Sequence, residues 1–312
     1  MTYWSYSLRR LLLVKIYRHV IAFFYTLVLS LNTLLVCLPM YLLGLIKLIP
    51  CHCLQKFCRQ RLDMFATLWF GFSRFVILRF FPTKWKINMP DDLSTDEWYV
   101  ILCNHQSWLD IAILLVIFQK KTPYLKYFIK QQLKWVPVLG LIWLILDYPF
   151  LTRQNKKTLH KQHRNSDSKK TNRFAKVFKT LPSSVVNFIE GTRFTEEKKM
   201  RSRSPYQHLL KPRLGSLTTL LDSLPQHPYK ILDVTICYPK GIQSFWEFLG
   251  GNLDTVSVEV KDRSYLKDAL KPDHTNNLQA KQSFRQHVNE IWKEKDNTLS
   301  SLIEQAKSSF SR

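Results

Sequence analysis

A histidine and an aspartate five positions apart, His105 and Asp110, are the residues whose types and spacing most directly indicate chemistry. Both lie in the block NHQSWLD, which directly follows the apolar run WYVILC. α/β proteins usually place active groups where a strand ends and a helix begins. An imidazole can act as a base near neutral pH, and a nearby carboxylate can fix its tautomer and stabilise the imidazolium. Such a pair could activate a substrate hydroxyl, so no serine or cysteine nucleophile is required.

Asn104, at the start of the same block, leaves an ordinary structural interpretation open. An asparagine that caps a helix beside a hydrogen-bonded histidine would give the same sequence without any catalysis. One histidine–aspartate pair is therefore weak by itself, and its meaning depends on the other polar blocks of the chain.

A second polar block, FIEGTR at 188–193, also follows an apolar run. Gly191 permits a tight turn and a close approach of the backbone to an anion. Arg193 can bind a phosphate through two parallel hydrogen bonds. A plain surface turn is the alternative interpretation, but such a turn would need neither Glu190 nor Arg193.

The elements that must position these blocks alternate between strand and helix. Short apolar runs predict strands at 98–102, 124–129, 184–189, 231–238 and 255–260, the last of them an edge strand. Longer patterns predict helices at 108–118 and 209–221, and a polar surface helix at 275–312. The alternation predicts an α/β fold with a mostly parallel mixed sheet flanked by helices. We expect this domain to span 83–312.

The N-terminal part of the chain, 1–82, is predicted to be a membrane anchor. From Val20 to Ile46 the chain has 27 residues without a charged residue or a histidine. A helix of that length would reach about 40 Å, more than the roughly 30 Å of bilayer hydrocarbon. Pro39 and Gly44 would kink or break it. Two interpretations remain: a single tilted span, or a broken helical hairpin that enters one leaflet.

A second apolar segment, 64–81, combines aromatic residues with Arg74 and Arg79. This combination suits the headgroup boundary of a membrane, where arginine side chains can reach the polar layer. An ordinary amphipathic core helix is the alternative. Basic residues flank the uncharged run on both sides, so the positive-inside rule gives no orientation.

The charge of the 312-residue chain is +23, from 46 Lys and Arg against 23 Asp and Glu. This excess indicates an anionic partner: nucleic acid, an acidic lipid surface or a phosphorylated substrate. The basic segment 153–173 fits headgroups, nucleic acid or a solvated linker and does not discriminate between them. The 8 glycines form no Rossmann or P-loop fingerprint, and the 6 cysteines show no disulfide or zinc pattern. We expect no metal site.

Taken together, the polar blocks resemble those of the glycerolipid acyltransferases, which include 1-acylglycerol-3-phosphate acyltransferase (lysophosphatidate acyltransferase). That family carries the blocks N-H-x-x-x-x-D, G-x-x-F-x-x-R, F-x-E-G-T-R and a late V-x-P, in this order. The first is intact at 104–110 and the third at 188–193. The resemblance covers roughly 84–261 and looks most like the branch that contains lysocardiolipin-type acyltransferases and their bacterial relatives.

The second and fourth blocks depart from the family pattern. In the second, Phe150 and Arg153 keep their spacing, but Asp147 stands where the family has glycine. The fourth keeps only Pro239. The departure at the second block bears on how a substrate phosphate is seated and leaves the acyl-transfer step untouched.

The resemblance implies a fatty acyl transfer from a thioester, acyl-CoA or acyl carrier protein, to the hydroxyl of a lysophospholipid. The most direct acceptor is 1-acylglycerol-3-phosphate, which would give phosphatidate. His105 would take the proton from the acceptor hydroxyl as that hydroxyl attacks the thioester carbonyl, and Asp110 would orient His105. No covalent enzyme intermediate and no cofactor beyond the thioester co-substrate are implied.

The resemblance also implies a substrate-binding set around the acceptor phosphate. Its members are Asn104, Arg153, Glu190, Gly191, Thr192, Arg193, Lys211 and Arg213. The apolar stretch 135–150 suits either a groove for the acyl chain or the plain core of the domain.

The expected partners are membrane lipids with anionic headgroups, the lysophospholipid acceptor and the acyl thioester donor, with no nucleic acid. The expected location is a membrane, the bacterial inner membrane, with the catalytic domain on the cytoplasmic side. Two alternatives stay open: the same chemistry on another lysophospholipid, as in lysocardiolipin-like remodelling, and a non-catalytic basic binding protein anchored to the membrane.

Overall fold

The structure is a computed structural model, which describes residues 2–148, 150–151, 178, 181–224, 228–266 and 278–310. Its α-helices are α1 (Thr2–Ile46), α2 (His52–Phe80), α3 (Leu109–Phe118), α4 (Leu139–Ile145), α5 (Glu196–Ser202), α6 (Leu214–Ser223), α7 (Phe245–Leu249) and α8 (Leu278–Phe310). Its strands are β1 (Lys84–Asn88), β2 (Tyr99–Cys103), β3 (Leu125–Tyr127), β4 (Ile129–Lys130), β5 (Phe150–Leu151), β6 (Ser184–Phe188), β7 (Lys230–Cys237) and β8 (Thr255–Asp262). A 3₁₀ turn, Gln131–Trp135, precedes α4.

The main sheet of the described chain is mixed and has the strand order β1–β8–β7–β2–β6–β3. Its neighbouring strands are parallel except β7 and β8, which are antiparallel. The central strands β2, β6 and β7 are buried along almost their whole length, as expected for a sheet covered on both faces. Helices α1, α2 and α3 cover one face, and α6 and α8 cover the other. The predicted α/β fold with a mostly parallel mixed sheet flanked by helices is confirmed.

The prediction that the strand at 255–260 lies at the edge of the sheet is wrong. It is observed as β8, and β1 pairs with it on the side away from β7. β1 has the sequence KWKIN, and most of its side chains are exposed. A short strand with lysines at a sheet edge carries little hydrophobic signal, and its charges discourage pairing with another chain. The sequence pattern therefore misses the true edge strand.

α1 is a single helix that continues through Pro39 and ends at Ile46, so the chain does not break at the proline. Gly44 allows close packing instead, because a Cβ placed there would lie 2.7 Å from the Ile145 side chain. The chain turns after Ile46, and α2 runs back along α1. Trp69 marks this antiparallel pairing, since its Nε1–H donates to Thr33 Oγ1 at 3.1 Å.

The outer face of α1 remains apolar and exposed. Leu12–Ile46 is long and apolar enough to cross a membrane, judged by length and composition, and is the one such helix in the described chain. Its most apolar window is only 11% buried within the protein. Leucines on the outer face, among them Leu31, Leu35 and Leu38, are more than half exposed. A contiguous apolar surface of this size marks an interaction site.

The helix predicted at 275–312 is observed as α8, but it is more than a surface helix. Phe284, Val288 and Trp292 on one side of it are buried against the sheet. Lys295 is buried as well, and its Nζ lies 2.6 Å from Asp233 Oδ1 on β7. A buried charge requires such a partner. The ion pair therefore helps to fix α8 on the sheet.

Candidate active site

The carboxyl ends of β2, β6 and β7 lie side by side at one end of the sheet. β2 has β6 and β7 as its parallel neighbours, with Cys103 opposite Phe188 and Val234. The blocks 104–110 and 188–193 leave the sheet here, and Pro239 follows β7. Polar residues that are far apart in the sequence therefore meet at one site.

The His105 Nδ1 atom lies 2.8 Å from Oδ2 of Asp110, whose side chain is fully buried in the first turn of α3. The same oxygen accepts the backbone N–H groups of Gln106 at 2.7 Å and Ser107 at 2.9 Å. With a carboxylate oxygen at hydrogen-bond distance, the imidazole carries its proton on Nδ1, which donates to Asp110. Nε2 is then left with its lone pair. Because the His105 side chain is 15% exposed, Nε2 can serve as a base toward a substrate.

Tyr238 is a third member of this unit, and the sequence reasoning missed it. Its hydroxyl donates to Asp110 Oδ1 at 2.6 Å, and its side chain is buried. Burial, together with the neighbouring carboxylate, raises the pKa of Tyr238 well above its usual value, so this hydroxyl stays a donor. The one sequence signal was its place directly before Pro239 at the end of a strand.

Tyr238→Phe should lower the rate of the reaction that His105 supports by about tenfold, because a hydrogen bond to a charged group contributes about 1.5 kcal/mol. The carboxylate loses one donor but keeps its contact with the imidazole. Steady-state kcat measures the effect, with Tyr265→Phe, at an exposed position, as the matched control. An unchanged kcat would show that the phenol does not support the pair.

The imidazole of His105 is also held by packing. Its ring stacks on Phe188 with centroids 4.1 Å apart and an interplanar angle of 19°. Its backbone carbonyl accepts the N–H of Phe194 at 2.7 Å. These contacts restrict the ring and its backbone, so the lone pair of Nε2 keeps a fixed direction.

Glu190, the acid of the second block, is buried between two backbone segments. Its Oε1 accepts the N–H of His105 at 2.8 Å, and its Oε2 accepts the N–H of Leu210 at 2.9 Å. Burial raises the pKa of Glu190 to about 8, although the two hydrogen bonds oppose that shift. The carboxyl group therefore joins the two polar blocks and holds the backbone of His105.

Gly191 lies in a left-handed turn, with φ +69°, beside the segment 211–213. A Cβ at this glycine would come within 3.1 Å of the Arg213 side chain, so the turn and the arginine pack closely. The N–H of Arg213 also donates to Ile189 O at 2.7 Å. Lys211 and Arg213 are exposed at this point of the surface. The structure thus adds two cations to the rim of the site.

Arg193 extends from the same turn toward Trp108. Its guanidinium carbon lies 4.8 Å from the centre of the indole ring, a cation–π contact. Both side chains are exposed, and Thr192 beside them is half-buried. The contact places the guanidinium against a residue of the block 104–110, on the exposed side of that block.

Asn104 is fully buried and contacts protein on both sides of its amide. Its Nδ2 donates to Ile236 O at 2.9 Å, and its Oδ1 accepts the N–H of Ile236 at 2.9 Å. The side chain thus joins the end of β2 to β7 where the block 104–110 begins. Arg153 and the basic segment 153–173 lie outside the described residues.

Asp147, which replaces the family glycine, has a left-handed backbone with φ +58°. Glycine adopts this conformation without strain, and Asp tolerates it better than most residues. Its buried carboxylate lies 2.6 Å from Lys47 Nζ at the end of α1 and 3.3 Å from Arg59 Nε in α2. The aspartate therefore ties the second block to the N-terminal helices.

Asp147→Ala should lower the free energy of unfolding by about 3 kcal/mol or more, since breaking a buried pair leaves Lys47 uncompensated. Thermal unfolding in detergent micelles measures the change. Asp96→Ala, which removes an exposed acid, is the control. Equal melting temperatures for the two variants would contradict a stabilising role for the pair.

An apolar cavity of about 480 Å³ opens beside this site. Its walls come from α1, α2, α3 and α7, and its lining includes Leu29, Phe70, Ile111, Leu115 and Phe245. Trp108 also lines it, so the cavity reaches the block 104–110. The stretch 135–150, one of the sequence-based candidates for such a groove, contributes none of the residues that line this cavity.

In the described part of the chain, no cluster of side chains supports metal binding. No group of three or more His, Cys, Asp or Glu side chains is spaced there to hold an ion.

The fold and the site together define an α/β protein with a histidine–aspartate pair beside an apolar cavity and a cationic rim. Residues 84–238 match the family model Acyltransferase. The chain is 28% identical over 179 residues to 1-acyl-sn-glycerol-3-phosphate acyltransferase epsilon of Mus musculus. The matched region covers 52% of this chain and 47% of that protein. The chain is 25% identical over 193 residues to 1-acyl-sn-glycerol-3-phosphate acyltransferase 2 of Brassica napus, covering 57% and 46%. These comparisons support a glycerolipid acyltransferase family for the chain.

Among solved structures, the chain is similar to the 1-acyl-sn-glycerophosphate acyltransferase PlsC from Thermotoga maritima. The TM-score is 0.43 at 15% sequence identity, with 87% of this chain and 98% of that chain covered. The chain spans about half the length of the curated relatives it matches.

Proposed function

We propose that the protein transfers a fatty acyl group from a thioester to the hydroxyl of a lysophospholipid, with 1-acylglycerol-3-phosphate as the foremost acceptor. The observation that carries this proposal is the contact between His105 Nδ1 and buried Asp110 Oδ2 at 2.8 Å, beside a cavity that suits an acyl chain. Two curated relatives are named as acyltransferases for this acceptor.

The proposed reaction is a direct transfer. Nε2 of His105 takes the proton of the acceptor hydroxyl as its oxygen forms a bond with the thioester carbonyl carbon. The carbon–sulfur bond of the tetrahedral intermediate then breaks, and the imidazolium returns the proton to the departing thiolate. Asp110 stabilises the positive imidazolium between these two steps. The protein forms no bond to the acyl group.

The acceptor phosphate is proposed to bind at the cationic rim. Arg193 supplies a guanidinium with a free edge, and Lys211 and Arg213 add charge beside it. Gly191 and Thr192 shape the turn that carries Arg193, whereas Asn104 and Glu190 act by holding backbone. A role for Arg153 at the phosphate remains part of the proposal.

Arg193→Ala should raise the KM for lysophosphatidate by about tenfold or more, because the charge-assisted contact between the guanidinium and the acceptor phosphate is lost. It should leave kcat within a few-fold of the wild-type value. Kinetics at varied acceptor concentration measure this. Arg201→Ala, an exposed arginine on α5, is the matched control. An acceptor KM equal to that of the control would contradict a phosphate role for Arg193.

The acyl chain of the donor is proposed to lie in the cavity between the N-terminal helices and α3. Its lining is almost entirely apolar, and Trp108 joins it to the catalytic block. Burial of methylene groups there would stabilise the bound chain by about 0.8 kcal/mol each. Acyl-CoA and acyl carrier protein both present such a chain, and the proposal takes acyl-CoA as donor.

Membrane association is proposed to run through α1. The chain contacts the catalytic domain at two points of this region: at His19 within α1, which accepts Trp246 Nε1–H at 2.9 Å, and at Lys47 directly after α1, which pairs with Asp147. These contacts are about 42 Å apart along the helix. A helix held along the domain supports an in-plane anchor whose outer face enters one leaflet. We propose that the domain faces the cytoplasm, where acyl thioesters are made.

An assay of the purified full-length chain tests the proposed function. Labelled oleoyl-CoA is supplied with each of a panel of lysophospholipids that differ in headgroup, and product formation is compared with that of His105→Ala. Transfer to lysophosphatidate supports the proposal. Transfer only to other headgroups moves the activity to another acceptor, and no transfer above the variant's level contradicts acyltransferase activity.

A further inference from the structure

The segment 133–144 presents large apolar side chains to solvent. Trp135 is 78% exposed, Leu141 is 52% exposed and Leu144 is 41% exposed. The sequence left two roles open for this stretch, the core or an acyl groove, and these side chains take part in neither. An indole this exposed is rare unless it meets another surface.

This segment lies beside the last turns of α1. Tyr41 donates its hydroxyl to Val138 O at 2.7 Å, and Lys47 Nζ donates to Ile145 O at 2.6 Å. The α1 side chains Leu42 and Leu45, in the same turns, are 57% and 63% exposed. The outward residues of α4 and α1 therefore form neighbouring parts of one apolar surface.

The backbone of the segment is held in this outward arrangement at a cost. Val138 has φ +64°, a conformation that a β-branched residue rarely adopts. Gly140 packs against the preceding turn so closely that a Cβ there would lie 2.1 Å from Lys134 O. A strained, tightly packed turn that exposes leucine and tryptophan is a built feature, and the catalytic site does not use it.

The charges around this surface are positive. Lys134 Nζ lies 4.8 Å from the centre of the Trp135 ring. Lys130 is exposed at the start of the turn, and the carboxylate of Asp147 at its far end is paired with Lys47 and Arg59. An indole with an adjacent lysine is typical of the boundary between headgroups and acyl chains. The positive charges of Lys130 and Lys134 complement anionic lipid.

We propose that residues 133–144 form a second bilayer-contacting element beside α1, with Trp135 at the headgroup boundary of an anionic membrane and Leu141 and Leu144 below it. The proposal rests on the membrane association given under the proposed function. Because α1 and the segment 133–144 would both contact the bilayer, the domain could not rotate freely about α1. The cavity and the imidazole would then keep a constant orientation toward the bilayer.

Fluorescence quenching tests the proposal on the full-length protein. The protein is bound to phosphatidylcholine–phosphatidylglycerol vesicles whose acyl chains carry bromine, and the signal of Trp135 is obtained by subtracting that of Trp135→Phe. We expect this difference signal to fall by about half or more relative to vesicles without bromine. The matched control is Trp98→Phe, because Trp98 is half-buried directly before β2 and donates its Nε1–H to Phe178 O. The difference signal of Trp98 should not change with bromine.

An unquenched Trp135 on protein that sediments with the vesicles would overturn the proposal. Leu141→Ser with Leu144→Ser should reduce the quenching at Trp135, whereas Met200→Ser, at a position 71% exposed on α5, should not. Acyl transfer is assayed in the same vesicles. Quenching without transfer would refute the proposed function and leave the second contact standing, and transfer without quenching would do the reverse.

Discussion

His105→Ala is expected to lower kcat for acyl transfer by about 10³-fold, within the range that a positioned general base contributes. The alanine removes the imidazole that takes the hydroxyl proton in the proposed reaction. Protein folding and vesicle binding should stay intact, because the His105 side chain is only partly buried and its removal deletes no residue of the apolar core. Steady-state turnover of labelled oleoyl-CoA measures the loss.

The matched control for this variant is His287→Ala on α8. That imidazole is not fully buried, and its Nδ1 contacts Ser283 O of the same helix. The control should keep wild-type turnover. A purified His105→Ala protein that also kept it would remove His105 from the reaction.

Asp110→Ala is expected to have an effect of the same order, about 10³-fold on kcat, for two reasons that reinforce each other. The imidazolium loses the carboxylate that stabilises it. The backbone N–H groups of Gln106 and Ser107 lose their shared acceptor, so the loop that carries His105 loses its support.

Asp110→Asn separates these two contributions. The amide oxygen can take the place of Oδ2, which meets three donors, while its NH₂ group faces the Tyr238 hydroxyl, which can accept instead of donating. The imidazole tautomer and the loop are then preserved, and only the charge is lost. We expect a loss of about 10²-fold, smaller than that of the alanine variant. Asn and Ala variants with equal losses would contradict this division.

The sheet could be predicted in outline because its central strands are nearly continuous apolar runs. β2, β6 and β7 need cover on both faces, and such runs are visible without a structure. β1 could not be found in this way, since KWKIN has no apolar run. The place of β8 between β1 and β7 depends on the order of strands in the sheet, which a single sequence does not contain.

The contact between His105 and Asp110 is the part of the site that can be predicted from the separation of two residues in the sequence. The loop 105–107 folds back onto the carboxylate in the first turn of α3, so this geometry is set within one short segment. The position of Tyr238 could not be predicted, because its contact with Asp110 depends on β7 lying beside β2. The same limit applies to Glu190, for which the family resemblance implies a substrate contact, whereas its oxygens accept backbone N–H groups.

The second block illustrates how local conformation explains a departure from a family pattern. Asp147 stands at a glycine position, and its left-handed backbone gives the reason why glycine suits that place. Its two ion-pair partners are Lys47, directly after α1, and Arg59 in α2, which precede it in the sequence by 100 and 88 positions. Such long-range ion pairs cannot be predicted from the sequence of the block itself.

Direct transfer to the acceptor hydroxyl is the central claim, and an acid-quenched single turnover tests it most directly. The full-length protein is mixed with labelled oleoyl-CoA, with and without lysophosphatidate, and the protein and lipid fractions are counted after quenching. Without acceptor, the protein should carry no label above the level of His105→Ala, and with acceptor the label should pass straight into phosphatidate. A burst of protein-bound label equal to the enzyme concentration would mean that a residue of the chain, rather than the lipid hydroxyl, attacks the thioester.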